Sequence, residues 1–398
     1  MNVSIINQQG HNFGDEAAGV ALINELICCD DVKKINVFYA SDAKIPVAHS
    51  KVVHYTDITL RNIGILNLVL FFIYFGKINT KEKADKLRNQ YLRKLCKELI
   101  ASNLVFVSPC GASIGIYKDW KYIVRLLIAI KCEKTPIFHY NTIGKSGNVL
   151  FDFIAYYILK KSDVYVREKR SADYLKTINL KTEVGPDTAF LLPDLESKYL
   201  KRENIVSFVP AHLDDWHPNF KKNNIDEFIE TQIVKVIAIW IKENNLKLNI
   251  IPHFDLDTEI TYCNKIKNLF WAENLAKTQV TVCNNIVNYE RYYEHLSKSK
   301  YVIGMRYHAI VLAAKSATPF LALSYENKMK EVSSYTKQSE FCIELSSLNQ
   351  EEIIRETKKR LSELVMKSDD IHNQLIAVDS ELQNNARKIV NKYCRRIG

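Results

Sequence analysis

Short apolar segments rich in β-branched and aromatic residues alternate with longer amphipathic segments along this chain, and that alternation constrains the fold more than any other feature. It is typical of a parallel β-sheet covered by helices on both faces. In the first half, the predicted strands are Val3–Ile6, Ile35–Tyr39, Leu104–Val107, Ile137–Tyr140 and Val164–Val166. The predicted helices are Ala17–Leu26, Glu82–Ile100, Trp120–Lys131 and Leu150–Lys160.

The same alternation starts again after a polar segment without apolar periodicity. The predicted strands of the second half are Ile205–Val209, Leu248–Ile251, Val280–Val282, Tyr301–Ile303 and Phe320–Leu323. Its predicted helices are Asp226–Glu243, Thr258–Trp271, Tyr289–Lys298 and Ala309–Lys315. We therefore predict an α/β fold with two doubly wound, Rossmann-like domains, whose ligands bind at the carboxyl ends of the strands.

The predicted division is an N-terminal domain over residues 1–194, a linker over 195–203, a C-terminal domain over 204–348 and a helical tail over 349–398. A chain of 398 residues is long enough for two hydrophobic cores. We expect one helix of the tail to return and pack on the first domain.

Composition indicates a folded protein, since 47% of the residues are hydrophobic and 25% are charged. The net charge of +10 favours anionic partners, either a small molecule or a membrane surface. No arginine-rich arm or basic–aromatic module is visible, so we expect no nucleic-acid partner. The nine cysteines are irregularly spaced and form no CxxC pair, which predicts buried thiols in a reducing, cytoplasmic compartment and no metal site.

The most apolar run is Ile63–Phe75. It is too short to span a bilayer, which needs about 20 residues, and the segment Met1–Gly10 does not resemble a signal peptide. Lysines and arginines follow the apolar run, at Lys77, Lys81, Lys83, Lys86, Arg88, Arg93 and Lys94. Two interpretations stay open: a core helix beside a solvated basic segment, or peripheral docking on the cytoplasmic face of a membrane.

Three segments of the first half carry polar groups where a predicted strand ends. Gly10 and Gly14 flank Asn12, and Asp15 and Glu16 follow in the first turn of the next helix, where they either complement the helix dipole or act on a ligand. The small-residue loop from Ser108 to Gly115 suits a ligand or an ordinary turn. Arg167 follows a buried strand, and it either pairs with Asp187 or faces an acidic substrate.

The segment from Gly304 to Ala309 in the second half is the sharpest signal. Arg306 and His308 flank the predicted start of an apolar helix, where backbone N–H groups and a guanidinium together bind anions. A histidine there is also able to carry a proton at neutral pH. Lys328 follows the next strand in the same way, and His253 ends an earlier one, although histidines at such positions are more often structural.

These segments together resemble the polysaccharide pyruvyltransferase family. The resemblance rests on Gly304-Met305-Arg306-Tyr307-His308-Ala309, Pro319 to Tyr325 with Lys328, Asn12 to Ala17, Val166-Arg167-Glu168 with Ser171, and Pro186-Asp187 with Phe190. It runs in order from about Val3 to Tyr335. The chain departs from the family after Val107, where the family usually has a run of glycines and only Gly111 clearly matches.

The resemblance implies transfer of pyruvate from phosphoenolpyruvate to two hydroxyls of one sugar, giving a cyclic ketal, in a GT-B-like fold whose two domains face a cleft. It implies catalytic roles for His308, Arg306 and Asp15. We expect no cofactor and no metal. The predicted donor-binding residues are Arg306, His308, Lys328, Arg167 and His253, and the predicted acceptor-binding residues are Asn12, Asp15 and Glu16.

Two other functions stay open from the sequence. A nucleotide-sugar-dependent glycosyltransferase of the same architecture would use Arg306 to hold a diphosphate. A carbohydrate-binding or assembly protein with a decayed catalytic site is the non-enzymatic alternative, and the retained Arg306, His308 and Lys328 argue against it. The expected partners are phosphoenolpyruvate, a sugar acceptor that is free or lipid-linked, and the inner membrane as a peripheral contact.

Overall fold

The structure is a computed structural model that describes residues 1–40, 44–198, 200, 202–214, 217, 220 and 224–394. Tyr199 and Lys201 of the predicted linker and the last four residues of the predicted tail lie outside the described residues. Two compact units are present. Unit 1 comprises Met1–Gly10, Asp15–Leu192 and Leu382–Gly398, and unit 2 comprises His11–Gly14 and Pro193–Glu381.

Unit 1 is built on a seven-stranded parallel sheet in the order β3-β2-β1-β4-β5-β6-β7. Its strands are β1 (Asn2–Gln8), β2 (Lys34–Tyr39), β3 (Val52–Tyr55), β4 (Leu104–Val107), β5 (Pro136–Asn141), β6 (Asp163–Val166) and β7 (Glu183–Val184). Its helices are α1 (Phe13–Ile27), α2 (Leu60–Ile63), α3 (Ile65–Tyr74), α4 (Lys81–Asp85), α5 (Gln90–Ala101), α6 (Trp120–Lys131), α7 (Val149–Lys160) and α8 (Lys169–Thr177). Helix α1 begins within the His11–Gly14 segment of unit 2.

Unit 2 has a six-stranded parallel sheet in the order β10-β9-β8-β11-β12-β13. Its strands are β8 (Glu203–Val209), β9 (Lys247–Ile250), β10 (Val280–Val282), β11 (Ser299–Gly304), β12 (Phe320–Ser324) and β13 (Cys342–Glu344). Its helices are α9 (Ile225–Phe228), α10 (Val234–Glu243), α11 (Asp257–Ala272), α12 (Tyr289–Lys298), α13 (Tyr307–Lys315), α14 (Asn327–Tyr335) and α15 (Gln350–Met366). One π-helical turn, Ile229–Ile233, joins α9 to α10.

The last helix, α16 (Ser368–Cys394), starts in unit 2 and ends in unit 1. Its final turns are fixed by polar contacts within unit 1. Arg387 forms a two-pronged ion pair with Glu25, at 2.7 and 2.8 Å, and the Tyr393 hydroxyl donates to an Asp163 carboxylate oxygen at 2.6 Å. The tail therefore packs on the first unit, as the sequence analysis expects.

The predicted fold class is confirmed: two α/β units with parallel sheets and a helical C-terminal region. The predicted bounds match those of β4, α6, β10 and α12. The short strands β3, β7 and β13 were missed. In the structure, His11–Gly14 belongs to unit 2, and the C-terminal region divides between the units after Glu381.

The single helix predicted over Glu82–Ile100 is wrong, because the chain forms α4 and α5 there. The Thr80 side chain caps α4, and the Asn89 side chain accepts a hydrogen bond from the backbone N–H of Leu92 at 2.9 Å. That bond satisfies one of the unpaired donors at the start of a new helix. Asn89 therefore interrupts an amphipathic pattern that runs through both helices.

Unit 1 buries an uncharged histidine in the middle of its sheet. His139 on β5 has no solvent exposure, and its Nδ1 lies 2.9 Å from the Thr188 hydroxyl. Burial lowers the pKa of this imidazole from 6.5 to about 3. The folded pKa is below the unfolded one, so the unfolded chain binds more protons between these values and stability falls as the pH drops.

We expect His139→Gln to weaken the acid sensitivity of unfolding. Below pH 6.5 the wild-type chain loses up to about 1.4 kcal/mol per pH unit through this one group. The measurement is the free energy of urea unfolding at several pH values between neutrality and pH 4. The matched control is His49→Gln, at an exposed position, which should keep the wild-type slope. An equal slope in all three proteins would contradict the assignment.

Candidate functional site

The carboxyl ends of the strands in unit 2 bring together most of the residues predicted to bind a donor. The strand order reverses between β8 and β11, which is where ligands bind in doubly wound sheets. His253 follows β9, Arg306 follows β11, and Tyr325 and Glu326 follow β12. All four side chains belong to unit 2.

Arg306 occupies the N-cap position of α13 with an extended backbone, and its side chain is buried. Its Nη2 donates to both carboxylate oxygens of Glu259, at 2.9 and 3.1 Å, and its guanidinium carbon lies 5.0 Å from the centre of the Phe254 ring. Burial lowers the pKa of Arg306, but Glu259 and Tyr325 raise it more, and the net shift is upward. The group therefore stays a cation although it has little contact with water.

Arg306 also retains a hydrogen-bond donor. Its Nε is buried and has no hydrogen-bond partner in the described part of the chain. An unsatisfied buried donor on a charged group costs free energy, which a ligand oxygen would recover. This donor stands at the start of a helix, where the first backbone N–H groups also favour an anion.

His308 lies one residue inside α13 and is buried. Its ring stacks on that of His253 at a centroid distance of 6.3 Å and an angle of 16°. Gly14 is in close contact with this ring, because a Cβ built on Gly14 would lie 2.2 Å from His308 Cγ and Nδ1. Position 14 therefore tolerates no side chain while His308 stays in place.

His253 is an uncharged partner in this group. Burial lowers its pKa well below 6.5, and electrostatic interactions with Arg306, His308 and Lys328 lower it further. Its Nδ1 is 2.9 Å from the Tyr292 hydroxyl. At neutral pH it is a neutral imidazole, which forms hydrogen bonds but resists protonation.

A second cation follows β12. Lys328 Nζ lies 2.7 Å from a Glu326 carboxylate oxygen and 5.7 Å from the centre of the Tyr307 ring. The other Glu326 oxygen lies 3.3 Å from Nε2 of the buried His217. Burial raises the pKa of Glu326, but Lys328 and His217 lower it more, to about 2. Glu326 is therefore a carboxylate at any physiological pH.

The segment His11–Gly14 packs on the loop after β9, within unit 2. The backbone N–H of Phe13 donates to the His253 carbonyl at 3.4 Å, and Asn12 forms an antiparallel bridge with Phe254. The Asn12 side chain accepts from the backbone N–H of Gly14 at 3.0 Å. Asn12 is thus grouped with the predicted donor residues, whereas Asp15 and Glu16 belong to unit 1.

In unit 1, Asp15 and Glu16 stand in the first turn of α1, beside the carboxyl end of β1. Burial raises the pKa of Cys110 to about 11, and the charge of Asp15 contributes to that shift. Asp15 and the loop after β4 are therefore near each other, at the point where the order of the unit 1 strands reverses.

Arg167, predicted to bind the donor, forms a buried ion pair in unit 1. Its Nη1 is 2.7 Å from an Asp187 carboxylate oxygen, and its Nε donates to the Thr142 hydroxyl at 3.0 Å. Both charged side chains are at most 1% exposed. The pairing that the sequence left open is present, and a role of Arg167 in donor binding stays a prediction.

Sequence reasoning missed three charged or polar groups of these sites. Glu259 and His217 are described above. Arg125 on α6 is buried in unit 1, where it donates to the Asn7 side chain at 3.3 Å and to the Ala40 carbonyl at 3.5 Å. Burial lowers its pKa to about 10. The sequence did not indicate a role for Glu259, because acidic residues are common in the first turn of a helix.

No metal site emerges from the described residues, because none of their His, Cys, Asp and Glu side chains form a group of three or more that is able to hold an ion. The unit 2 arrangement instead offers two cations, a neutral imidazole, a further histidine and a helix start. Side chains of these types at a helix start suit the binding of an anion and a proton transfer beside it.

The two parallel-sheet α/β units and the helical C-terminal region define a GT-B-like fold. Anabaena Alr3699/HepE in complex with UDP and glucose is similar over 98% of this chain and 99% of its own, with a TM-score of 0.61 and 12% identity. UDP-GlcNAc 2-epimerase from Neisseria meningitidis bound to UDP-GlcNAc is similar over 100% of both chains, with a TM-score of 0.55 and 11% identity. At such identities the similarity concerns the fold alone.

The sequence profile of the polysaccharide pyruvyl transferase family matches residues 12–327. The protein belongs to that family and is a transferase of polysaccharide biosynthesis. No curated protein matches the chain. The matched range includes Arg306 and His308 and ends just before Lys328.

We expect Gly14→Ala to displace His308. The added methyl group would overlap the His308 ring, and overpacking of this kind costs about 1–3 kcal/mol, against a gain of about 1 kcal/mol in helix propensity. The measurements are thermal unfolding and the imidazole resonances of His308 by NMR. Gly144→Ala is the control, because nothing lies within 4 Å of a Cβ built there. An unshifted His308 signal in Gly14→Ala would refute the contact.

Proposed function

We propose that the protein transfers pyruvate from phosphoenolpyruvate to two hydroxyls of one sugar, forming a cyclic ketal on a cell-surface polysaccharide or its lipid-linked precursor. Family membership supports the pyruvyl transfer. The observation that carries the choice of donor is the buried Arg306, whose Nε lacks a partner in the described chain and stands at the start of α13.

Phosphoenolpyruvate has two anionic groups, a carboxylate and a phosphate, which suit two separate cations. Arg306 would bind one group through Nε and the helix N–H groups, and Lys328 would bind the other. Both cations are already paired, with Glu259 and Glu326. The carboxylates hold the cations in place while no ligand is bound, and the ligand competes for them or uses the donors that remain.

The reaction needs a proton at one carbon and the loss of two protons from oxygen. Protonation of the donor's methylene carbon makes C2 electrophilic, and a sugar hydroxyl then forms a bond to C2 and releases its proton. The C2–O bond to phosphate breaks, and the second hydroxyl attacks C2, loses its proton and closes the ring. One hydroxyl proton balances the proton added to carbon, the other leaves on the inorganic phosphate, and no electron is gained or lost.

His308 fits the proton transfers on the donor side, with His253 as its neutral neighbour. The two rings stack on each other beside Arg306, and the low pKa of His253 keeps it an uncharged hydrogen-bonding group. We assign His308 to donor binding or to the relay of the proton. Asp15 is the proposed general base for a sugar hydroxyl, with Asn12 and Glu16 as further acceptor contacts.

The proposal also places the protein in the cytoplasm, with a peripheral contact to the inner membrane where lipid-linked sugars are presented. A nucleotide-sugar-dependent glycosyltransferase remains the second candidate function. It is favoured by structural neighbours whose complexes contain UDP or a UDP-sugar. Equilibrium binding measurements distinguish the two functions. A pyruvyltransferase should bind phosphoenolpyruvate, and a nucleotide-sugar-dependent glycosyltransferase should bind UDP.

We expect Arg306→Ala to weaken phosphoenolpyruvate binding roughly ten- to a hundredfold, because a charge-assisted hydrogen bond contributes about 1.5–3 kcal/mol. Arg306→Lys should restore only part of the affinity, since it keeps the charge and loses the planar fork. The measurements are calorimetric binding of phosphoenolpyruvate and phosphate release with an acceptor. Arg355→Ala, at an exposed position of α15, is the matched control.

His308→Gln separates two roles in the same assays. If His308 moves a proton, turnover should collapse while phosphoenolpyruvate affinity is kept, because glutamine hydrogen-bonds but does not protonate near neutral pH. If His308 only binds the donor, affinity should fall instead. Wild-type binding and turnover in Arg306→Ala, Arg306→Lys and His308→Gln would refute the site and the mechanism together.

We expect Asp15→Asn to affect the acceptor side alone. It should raise the Michaelis constant for the sugar or lower turnover, because the amide does not accept a proton from a hydroxyl. Calorimetric affinity for phosphoenolpyruvate should stay within about twofold of wild type. A selective loss of phosphoenolpyruvate affinity would reverse the assignment of donor and acceptor residues.

A further inference from the structure

Unit 1 exposes large apolar side chains on two helices. On α3, Ile65 is 82% exposed, Leu66 70% and Ile73 68%. On α7, Val149 is 86% exposed, Leu150 61% and Phe153 70%. Single apolar residues are normal on a protein surface, whereas several large ones exposed on the same helix are typical of an interaction site.

The two helices lie on the same side of unit 1. The inner residues Phe71 of α3 and Phe151 of α7 belong to one hydrophobic core cluster. Lys131 of α6 donates to the Phe72 carbonyl at 3.3 Å and stands 5.2 Å from the Phe71 ring, so α6 contacts α3 directly. Trp120, at the start of α6, packs edge-on against Phe151 at 5.1 Å. We call the outward surface of α3 and α7, with Trp120, the apolar face.

The end of α3 approaches α7 near Lys77. Lys77, just after α3, pairs with Glu133 at 2.7 Å. Glu133 raises the pKa of Lys77, and Tyr157 of α7 adds to that shift. The end of α3 and the second half of α7 are therefore close to each other.

Helix α3 is not a core helix, although its sequence allowed that interpretation. Only Phe71 is buried among its ten residues, Ile65–Tyr74, and none of the ten is charged. Ten helical residues are about 15 Å long, which is half of a bilayer's hydrocarbon core. No helix in the part of the chain that the structure describes is long and apolar enough to cross a membrane. A helix of this length with exposed apolar side chains suits the interfacial layer of a bilayer better than a span across it.

The chain that follows α3 is basic, and its exposed cations together with Arg61 are here called the basic rim. Between residues 61 and 88 the exposed cations are Arg61, Lys77, Lys81, Lys83, Lys86 and Arg88. The exposed carboxylates in that range are Glu82 and Asp85. An apolar surface with a cationic border complements a bilayer that contains anionic lipid, since apolar groups enter the interface and lysines meet the headgroups.

We propose that the apolar face and its basic rim dock unit 1 on an anionic lipid bilayer. A second copy of the chain suits this surface less well, because a twofold interface would bring the same basic rim against itself. The proposal extends the proposed function, since docking would present the protein to a lipid-linked acceptor. Docking itself needs no turnover and is measured without phosphoenolpyruvate.

Co-sedimentation with vesicles tests the proposal. The vesicles contain phosphatidylcholine alone or phosphatidylcholine with phosphatidylglycerol, at about 0.1 M and about 1 M salt, where the Debye lengths are about 10 and 3 Å. We expect binding to the anionic vesicles at the lower salt concentration and much weaker binding in the other conditions. Brominated lipids should quench tryptophan fluorescence in the wild-type protein, and Trp120→Phe should lose most of that quenching.

Paired variants locate the surface. Leu66→Asp with Ile73→Asp, and Leu150→Asp with Phe153→Asp, should each lower vesicle affinity at least tenfold. Val287→Asp with Met366→Asp is the matched control, because both residues are exposed apolar side chains of unit 2, at 68% and 75%.

Charge variants test the basic rim. Lys81→Glu, Lys83→Glu and Lys86→Glu together should lower vesicle affinity roughly a hundredfold. The control is the triple replacement of Arg355, Lys358 and Lys359 of α15 by glutamate. All replaced positions are exposed, and thermal unfolding verifies that every variant is folded.

Three results would overturn docking. One is the absence of vesicle binding by the wild-type protein, and another is an equal loss in the control variants. The third is self-association in sedimentation velocity that Leu66→Asp with Ile73→Asp abolishes in the absence of lipid, which would assign the face to a second copy. Failure of the proposed function is separate, because it appears as missing phosphate release with a soluble acceptor while vesicle binding persists.

Discussion

The ion pair between Arg306 and Glu259 organises the candidate site of unit 2. A guanidinium out of contact with water is tolerated only with a close counter-charge, and Glu259 supplies one through two oxygens at 2.9 and 3.1 Å. The same carboxylate accepts from the backbone N–H of His253 at 3.3 Å. One acidic residue thus joins the loop after β9, the start of α11 and the start of α13. Removing a partner from such a pair costs about 3–5 kcal/mol, because the other charge is left buried alone.

Charge balance follows from that arrangement. Arg306 pairs with Glu259, and Lys328 pairs with Glu326. The pairing does not cancel their effect on neighbouring groups, because Arg306 and Lys328 still lower the pKa of His253 beyond the larger effect of burial. A site with paired cations folds without a ligand and still offers donors, such as Arg306 Nε, that only a ligand satisfies. Pre-organised donors of this kind lose little conformational entropy when an anion binds.

The sequence predicted the grouping of Arg306, His308 and His253, because the carboxyl ends of parallel strands meet at one edge of a sheet and each residue follows a recognisable strand. It did not predict Glu259 or His217. Glu259 pairs with Arg306, 47 positions further along the chain, and His217 pairs with Glu326, 109 positions further along. Nothing in the sequence around either residue indicates such a partner. Hydrophobic periodicity predicts the type of a secondary-structure element. It does not predict which charged residue of another element will lie next to it.

The helices of unit 1 show the same limit. The bounds of α6, Trp120–Lys131, were predictable because Asp119 caps the helix and its apolar residues recur along one face. An apolar segment such as α3 has the same composition whether it is surrounded by protein or by lipid, so its sequence leaves both environments open. Only the packing decides, and in this fold α3 buries Phe71 while Ile65, Leu66 and Ile73 stay outside. Exposed apolar surface of this extent lowers solubility unless a partner binds to it. The lysines that follow α3 in the sequence favour a negatively charged partner, such as an anionic bilayer.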